Sequence, residues 1–226
     1  MIAIYSPASA REITVDDSNS DAAFISIQEA VNSSSSGDVI LVSPGFYNES
    51  VDIGIQNVSV LSKSENPEDT TVRAFNVSAN GITVSGFSIH ESLNLRGYMS
   101  PAGYNSCCPI ENCTVKNNIL RLGIYADECY NSTLGKNVVL NSGIGIHSFA
   151  VANFTISDNL IVKGDIDVYQ GPDHCVLLNN TLLNGSIGLT ECGYHKSLVI
   201  IFQTIKKVLE LASGNLIPMR LKIIRL

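Results

Sequence analysis

Four segments of this chain repeat one another: "CTVKNNIL" from Cys113, "STLGKNVVL" from Ser132, "FTISDNLIV" from Phe154 and "CVLLNNTLL" from Cys175. An asparagine column runs through them at Asn118, Asn137, Asn159 and Asn180, at steps of 19, 22 and 21 residues. Three residues before it stand Val115, Leu134, Ile156 and Leu177, and five before it Cys113, Ser132, Phe154 and Cys175. A second strand signal follows each asparagine, "GIYAD", "GIGIHS", "GDIDVYQ" and "GSIGLTE". Alternation directs Ile144, Ile166 and Ile187, with Ile146, Val168 and Leu189, to one face, and Gly145, Asp167 and Gly188 to the other.

A period near 21 residues leaves no room for the helix that a parallel crossover normally takes. It does fit three short strands and three turns, stacked about 4.8 Å above the previous coil. The pattern therefore predicts an all-β, right-handed single-stranded parallel β-helix of about six coils. The asparagine column gains a physical role, since an inward amide at one corner of every coil can bond the backbone and amide of its neighbours. A leucine-rich repeat is the other solenoid of this period, but its Leu-x-x-Leu-x-Leu spacing is absent. A weaker copy, "ITVSGFSI" at 82–89, lies upstream, with "VSVLS" from Val58 before it.

A solenoid has open ends. A helix near 22–33 is predicted to close the first one. Ser26 with Glu29 forms a capping box, and Phe24, Ile27 and Val31 share a face. Coil one then reads "VILV", a Ser-Pro-Gly corner, "ESVDI" and "VSVLS". Residues 11–195 make the β-helix domain. From Lys196 the composition turns basic, with six Lys/Arg against one Glu, whereas residues 1–195 carry a net charge of −12. An acidic body argues against nucleic acid as a partner. In the tail, "LVIIFQTIKKVLELA" over 198–212 is predicted as an amphipathic helix, too interrupted by lysine to span a membrane. It would cap the last coil, lie on a membrane surface, or belong to non-native sequence within 196–226.

Residues 1–10 end in small residues at Ala8 and Ala10, as the back half of an export signal does. Nine Asn-x-Ser/Thr sequons, at Asn32, Asn48, Asn57, Asn76, Asn112, Asn131, Asn153, Asn179 and Asn184, and six cysteines suit a secreted or cell-surface location. An Asn- and Ser-rich repeat also makes sequons by composition alone.

The run "SIQEAV" followed by "GDVILVSPGFYNESVDI" resembles the entry coil of right-handed parallel β-helix proteins, the pectin-lyase-like enzymes and NosD-like proteins. The Asn-bearing coils resemble the NosD-type repeats of archaeal cell-surface proteins, and the likeness covers roughly residues 12–192. It implies the fold and an envelope setting, with polysaccharide or cell-envelope glycan as partner, in a monomer or part of a larger surface protein. It does not imply one chemistry, because such families share coils while differing in reaction. The catalytic signatures of polygalacturonases, pectin methylesterases and calcium-dependent lyases are absent from the sequence.

The best outward stripe holds Asp127, His147 and Tyr169 on successive coils, with Asp165 and Asp167 beside them. Acid, imidazole and phenol ring together suit sugar binding or proton transfer. Asp127, His147 and Asp167 are the catalytic candidates, and the same three with Tyr169 are the ligand-binding ones. Tyr125 replaces Asp127 if "GIYAD" shifts by two residues, and a plain solvated face would carry similar residues. The expected function is structural or glycan-binding. The alternatives are a polysaccharide lyase or glycoside hydrolase, and a NosD-like metal-handling protein. No cofactor is implied beyond calcium, for which Asp165, Asp167 and Asp173 offer oxygen ligands. Copper would need clustered ligands, yet His90, His147, His174 and His195 fall in different columns. Cys113 and Cys175 read as inward apolar residues, three coils and about 14 Å apart. Cys107 and Cys108 lie in an insertion, and Cys129, placed in a loop, is expected to form a disulfide with one of them.

Overall fold

The computed structural model describes residues 10–18, 21–64, 66–99, 107–147, 153–169, 175–190, 197–205 and 220–225. The chain is a parallel β-solenoid with three stacked sheets. The first sheet stacks Glu12–Val15, Val39–Val42, Ser59–Ser62, Thr83–Ser85, Thr114–Lys116, Thr133–Gly135 and Thr155–Ser157, and then residues 176–178. The second runs from residues 45–47 through 70–72, Ser88–Ile89, Ile119–Leu120, Val138–Leu140 and Leu160–Val162 to 181–183. The third runs from residues 50–53 through 74–77, Leu93–Arg96, Ile124–Asp127, Ile144–His147 and Ile166–Tyr169 to Ile187–Thr190. From its first strand to its last, the third sheet spans about six turns.

Inside, the predicted columns are buried. Val115, Leu134, Ile156 and Leu177 stack in one line, and Ile124, Ile144, Ile166 and Ile187 in another. The asparagine column forms a continuous ladder. Asn118 donates its backbone N–H (3.1 Å) and its Nδ2 (3.2 Å) to Oδ1 of Asn137. Asn137 does the same toward Asn159 at 2.9 and 3.1 Å, and Asn159 toward Asn180 at 3.1 and 2.9 Å. The second Nδ2 hydrogen of each goes to a main-chain carbonyl, of Val84, Val115, Leu134 and Ile156 in turn. At the lower end the Phe87 N–H donates to Asn118 Oδ1 at 3.0 Å. In Asn118, Asn137 and Asn159 both amide hydrogens and the amide oxygen are thus partnered inside the core, which removes the penalty of burying them.

The corners explain much of the composition. Left-handed backbone recurs at Asn117, Lys136, Asp158 and Asn179, at Asn141, Lys163 and Asn184, and at Asn112, Asn131 and Asn153. Asn and Asp tolerate this region better than other side chains. Six sequon asparagines, Asn57, Asn112, Asn131, Asn153, Asn179 and Asn184, have positive φ, so corner geometry alone accounts for their presence. Between the second and third sheets the coils approach too closely for side chains. A Cβ on Gly143, Gly164 or Gly185 would lie within 2.0 Å of a carbonyl oxygen in the coil below or above.

The predicted helix forms over Ile27–Ser33 and packs Ile27, Ala30 and Val31 into the core beside the first turn. Ser26 Oγ accepts from the Glu29 N–H as expected (3.3 Å). The carboxylate at this helix start is that of Glu49, which accepts from Ser26 Oγ (2.8 Å), Ile27 N (2.8 Å) and Gln28 N (3.0 Å). At the Ser-Pro-Gly corner Asp17 accepts from Phe46 N at 2.8 Å, in space that a Cβ on Gly45 would occupy. The first strand is fastened by Arg11, whose backbone N–H, Nε and Nη2 all donate to the buried Asp38 carboxylate at 2.9, 3.1 and 2.6 Å. The Arg11 side-chain bonds, then its backbone bond, hold Asp38 down from 3.8 to about 2.

Three expectations are corrected. "VSVLS" stacks on "VILV" and so opens the second turn rather than closing the first; residues 45–47 supply the missing side. Ser197–Ile205, expected to begin an amphipathic helix, is a strand laid parallel on residues 176–182, with Arg220–Arg225 stacked on it in turn. Its β-branched run meets a ready-made sheet edge, which outweighs the helical periodicity; residues 206–219 lie outside the described residues. Cys129 is not in a loop: it is buried, a free thiol, beside the Cys113 thiol and 3.3 Å from Ser132 Oγ. Its short strand, Cys129–Tyr130, pairs in parallel with Ile110–Glu111, and the Cys129 side chain is part of the core. Tyr98–Met99 and Cys107–Cys108 in that insertion pair as antiparallel strands; the side chains of Cys107 and Cys108 fall outside the described residues, so the disulfide expected with Cys129 finds no support.

Asn159→Ala should lower the unfolding free energy by about 1–3 kcal/mol, because neighbouring donors and acceptors lose buried partners. Asp167→Ala, on an outer face, should change it by less than about 0.5 kcal/mol. Urea midpoints that coincide for the two variants would show the ladder to be energetically idle. Asp38 yields an acid-dependent expectation. Since its folded-state value lies below its ordinary 3.8, its stabilising contribution is present above 3.8 and is lost as pH falls through about 2. Asp38→Asn should be less stable at neutral pH and lose stability less steeply between those two values. Parallel acid-unfolding curves would contradict this.

Candidate functional site

Two outward columns of the third sheet stand side by side. One stacks Arg96, Asp127, His147 and Tyr169 in strict register. The other stacks Asp52, Asn76, Asn94, Tyr125, Gly145, Asp167 and Gly188. The register settles the two-residue ambiguity: Asp127 lies opposite His147, and Tyr125 opposite Gly145.

Along the first column, Asp127 Oδ1 lies 2.9 Å from His147 Nδ1. A carboxylate only accepts, so this bond places a proton on Nδ1. The imidazole then meets Tyr169, with ring centroids 5.3 Å apart and planes tilted by 31°. Parallel stacking thus delivers acid, imidazole and phenol as one contiguous strip.

In the second column Tyr125 and Asp167 each lean over a glycine in the next coil. A Cβ on Gly145 would sit 3.4 Å from the Tyr125 ring, and one on Gly188 would strike Asp167 Oδ1. The Tyr125 hydroxyl donates to the Leu122 carbonyl at 3.1 Å and lies 3.3 Å from Ser142 Oγ, which pins a ring that is 42% exposed. Asp167 is on the exposed face of its strand, beside Asp165. Burial, and then the neighbouring charge of Asp165, push its carboxyl above the ordinary carboxylate value. Asp165 itself accepts from Ser186 N (2.6 Å) and Ser186 Oγ (2.8 Å).

Between the columns lies a groove of ≈ 250 Å³ lined by Arg96, Tyr125, Asp127, His147, Asp167 and Tyr169. It brings together Asp127, His147, Asp167 and Tyr169 of the sequence-predicted set, leaves Asp165 off its lining, and adds Arg96 and also Tyr125, which stands beside Asp127 rather than in its place. Arg96 immediately precedes the insertion that holds Cys107 and Cys108, and the alternation Leu93-Asn94-Leu95-Arg96 matches the Ile124–Asp127 strand and could have placed it. Lower on the same face Asn94 donates to Asn76 (2.9 Å) and Asn76 to Asp52 (2.8 Å), an outer amide strip whose members the sequence reading did not single out.

For calcium, Asp165 and Asp167 adjoin the groove, but Asp165 is already bonded to Ser186 and Asp173 lies outside the described residues. Among the described residues no group of three His, Cys, Asp or Glu side chains could hold a metal ion. His90 is remote from His147, set edge-on to Phe46 on the second sheet at 6.2 Å, and His174 and His195 lie outside the described residues. No helix among the described residues is long and apolar enough to cross a membrane.

No family model and no curated protein matches this sequence. Solved structures do. The Agl-KA catalytic domain is 16% identical over 88% of this chain, with a TM-score of 0.52, and this chain covers 48% of that domain. The pectin methylesterase from Aspergillus niger is 14% identical over 97% of this chain and 86% of its own, with a TM-score of 0.47. A pectin methylesterase in complex with a hexasaccharide is 14% identical over 86% and 72%, with a TM-score of 0.41. At such identities the likeness is one of fold alone: the chain is a parallel β-solenoid, as its strand pairing shows.

Proposed function

We propose that the third sheet binds a polysaccharide, the sugar chain lying in the groove between its two outward columns. The observation that carries this reading is the pairing of exposed rings with fixed polar groups. Tyr125 and Tyr169, 42% and 38% exposed, flank Asp127, His147 and Asp167 in one concave surface. Tyrosine faces stack on the apolar C–H faces of sugars, and carboxylates accept from their hydroxyls. The scaffold suits the task, because a groove on stacked strands is preformed and loses little entropy on binding. The same reading puts the chain at the cell surface, among envelope glycans.

A second reading has a specific observation behind it. The 2.9 Å bond from Asp127 orients His147 as a base is oriented in hydrolytic and eliminating enzymes. With Asp167 kept above the ordinary carboxylate value as a nearby proton donor, the groove would cleave the polysaccharide that it binds.

Retention on a glycan array, with release of reducing or unsaturated ends from the retained glycans, separates the two. Tyr169→Ala should abolish retention while the melting temperature stays within about 2 °C, since an outward ring contributes little to the core. For a binding protein, His147→Ala weakens retention and no product ever forms. For an enzyme, it lowers turnover at least about a hundredfold and leaves retention nearly intact. If neither substitution changes retention or product release, the groove is an ordinary solvated face.

A further inference from the structure

We infer that the groove selects uncharged glycan over the carboxylate-bearing form of the same sugar; this rests on the glycan-binding reading above and narrows it. The walls of the groove are rich in acceptors. Asp127 and Asp167 line it, Asp165 stands beside Asp167, and Arg96 is the cation that shares the surface. Arg96 is paired in register with Asp127, one strand spacing away, so its field is opposed at close range. A neutral sugar brings hydroxyl donors to these carboxylates. A uronate brings a further acceptor with a full negative charge.

Asp167 reports the field at that point. Desolvation and then the Asp165 charge raise the Asp167 carboxyl, and the second of these acts on a bound carboxylate as well. The body of the protein acts in the same direction, since residues 1–195 carry a net charge of −12 and repel a polyanion before contact. The rings of Tyr125 and Tyr169 are indifferent to the sugar's charge, so stacking holds both forms and electrostatics decides between them.

The test uses the full chain on an array of oligosaccharides, each present as the free uronate and as its methyl ester, alongside neutral glycans. At neutral pH and low ionic strength the ester should be retained about tenfold better than the acid, and the gap should shrink as salt screens it. Asp167→Asn should raise retention of the acid form and narrow the gap. Equal retention of the two forms, or a preference for the acid, overturns the inference while leaving glycan binding in place. Retention of no glycan of any kind overturns the glycan-binding reading itself, and the inference with it.

Discussion

Everything in this molecule depends on keeping successive coils in register, and the buried asparagine ladder does that where backbone pairing alone cannot. A strand slipped by two residues would still alternate apolar and polar faces and satisfy most of its ladder hydrogen bonds. The amides of Asn118, Asn137, Asn159 and Asn180 remove that freedom. Each donates to a main-chain carbonyl at a fixed corner, the first three also to the amide oxygen of the next, and each is 1% exposed, so misalignment strands polar groups away from water. The glycines at 143, 164 and 185 enforce the same register sterically at the next corner, where any Cβ would overlap a neighbouring carbonyl.

Register then creates the site. Because the third sheet's strands align residue for residue, side chains distant in sequence become neighbours by simple stacking: Arg96, Asp127, His147 and Tyr169 come from four different coils. Among the described residues, strand stacking alone brings them together. The hollow arises in the same way. Gly145 and Gly188 give up their own side chains, so Tyr125 and Asp167 lean into the vacated space and a groove opens between the columns. On a face where every coil carried a bulky side chain, the outward rows would close into a flat surface.

The solenoid was legible because its constraints repeat. The inward columns, the ladder and the outward stripe each recur every 19–22 residues, and the alignment of Asp127, His147 and Tyr169 follows from that period. What escaped lies where the period breaks. Arg96 precedes an insertion, and its coil carries Phe87 where the others carry the indexing asparagine, although Leu93 and Leu95 alternate in step. Cys129 sits on a two-residue strand too short to show alternation, and its inward direction comes from pairing with Ile110. Ser197–Ile205 shows both helical and strand periodicity, and the sheet edge beside it decides. Local pattern carries no information about which edge is waiting.

Asparagine abundance has a comparable double meaning. Outside the core, the residue is favoured at corners with left-handed backbone, and the repeat supplies such a corner up to three times per turn. Threonine or serine two places later opens the next strand, as at Asn112-Cys113-Thr114 and Asn131-Ser132-Thr133. A sequon is therefore the expected by-product of a tight corner followed by a β-prone residue. Asn76 makes the contrast: its φ is not left-handed, and its amide is committed to Asp52 and Asn94 on the outer strip. In this fold six of the nine sequons mark left-handed corners, and the chemistry of the surface must be read from the columns between them.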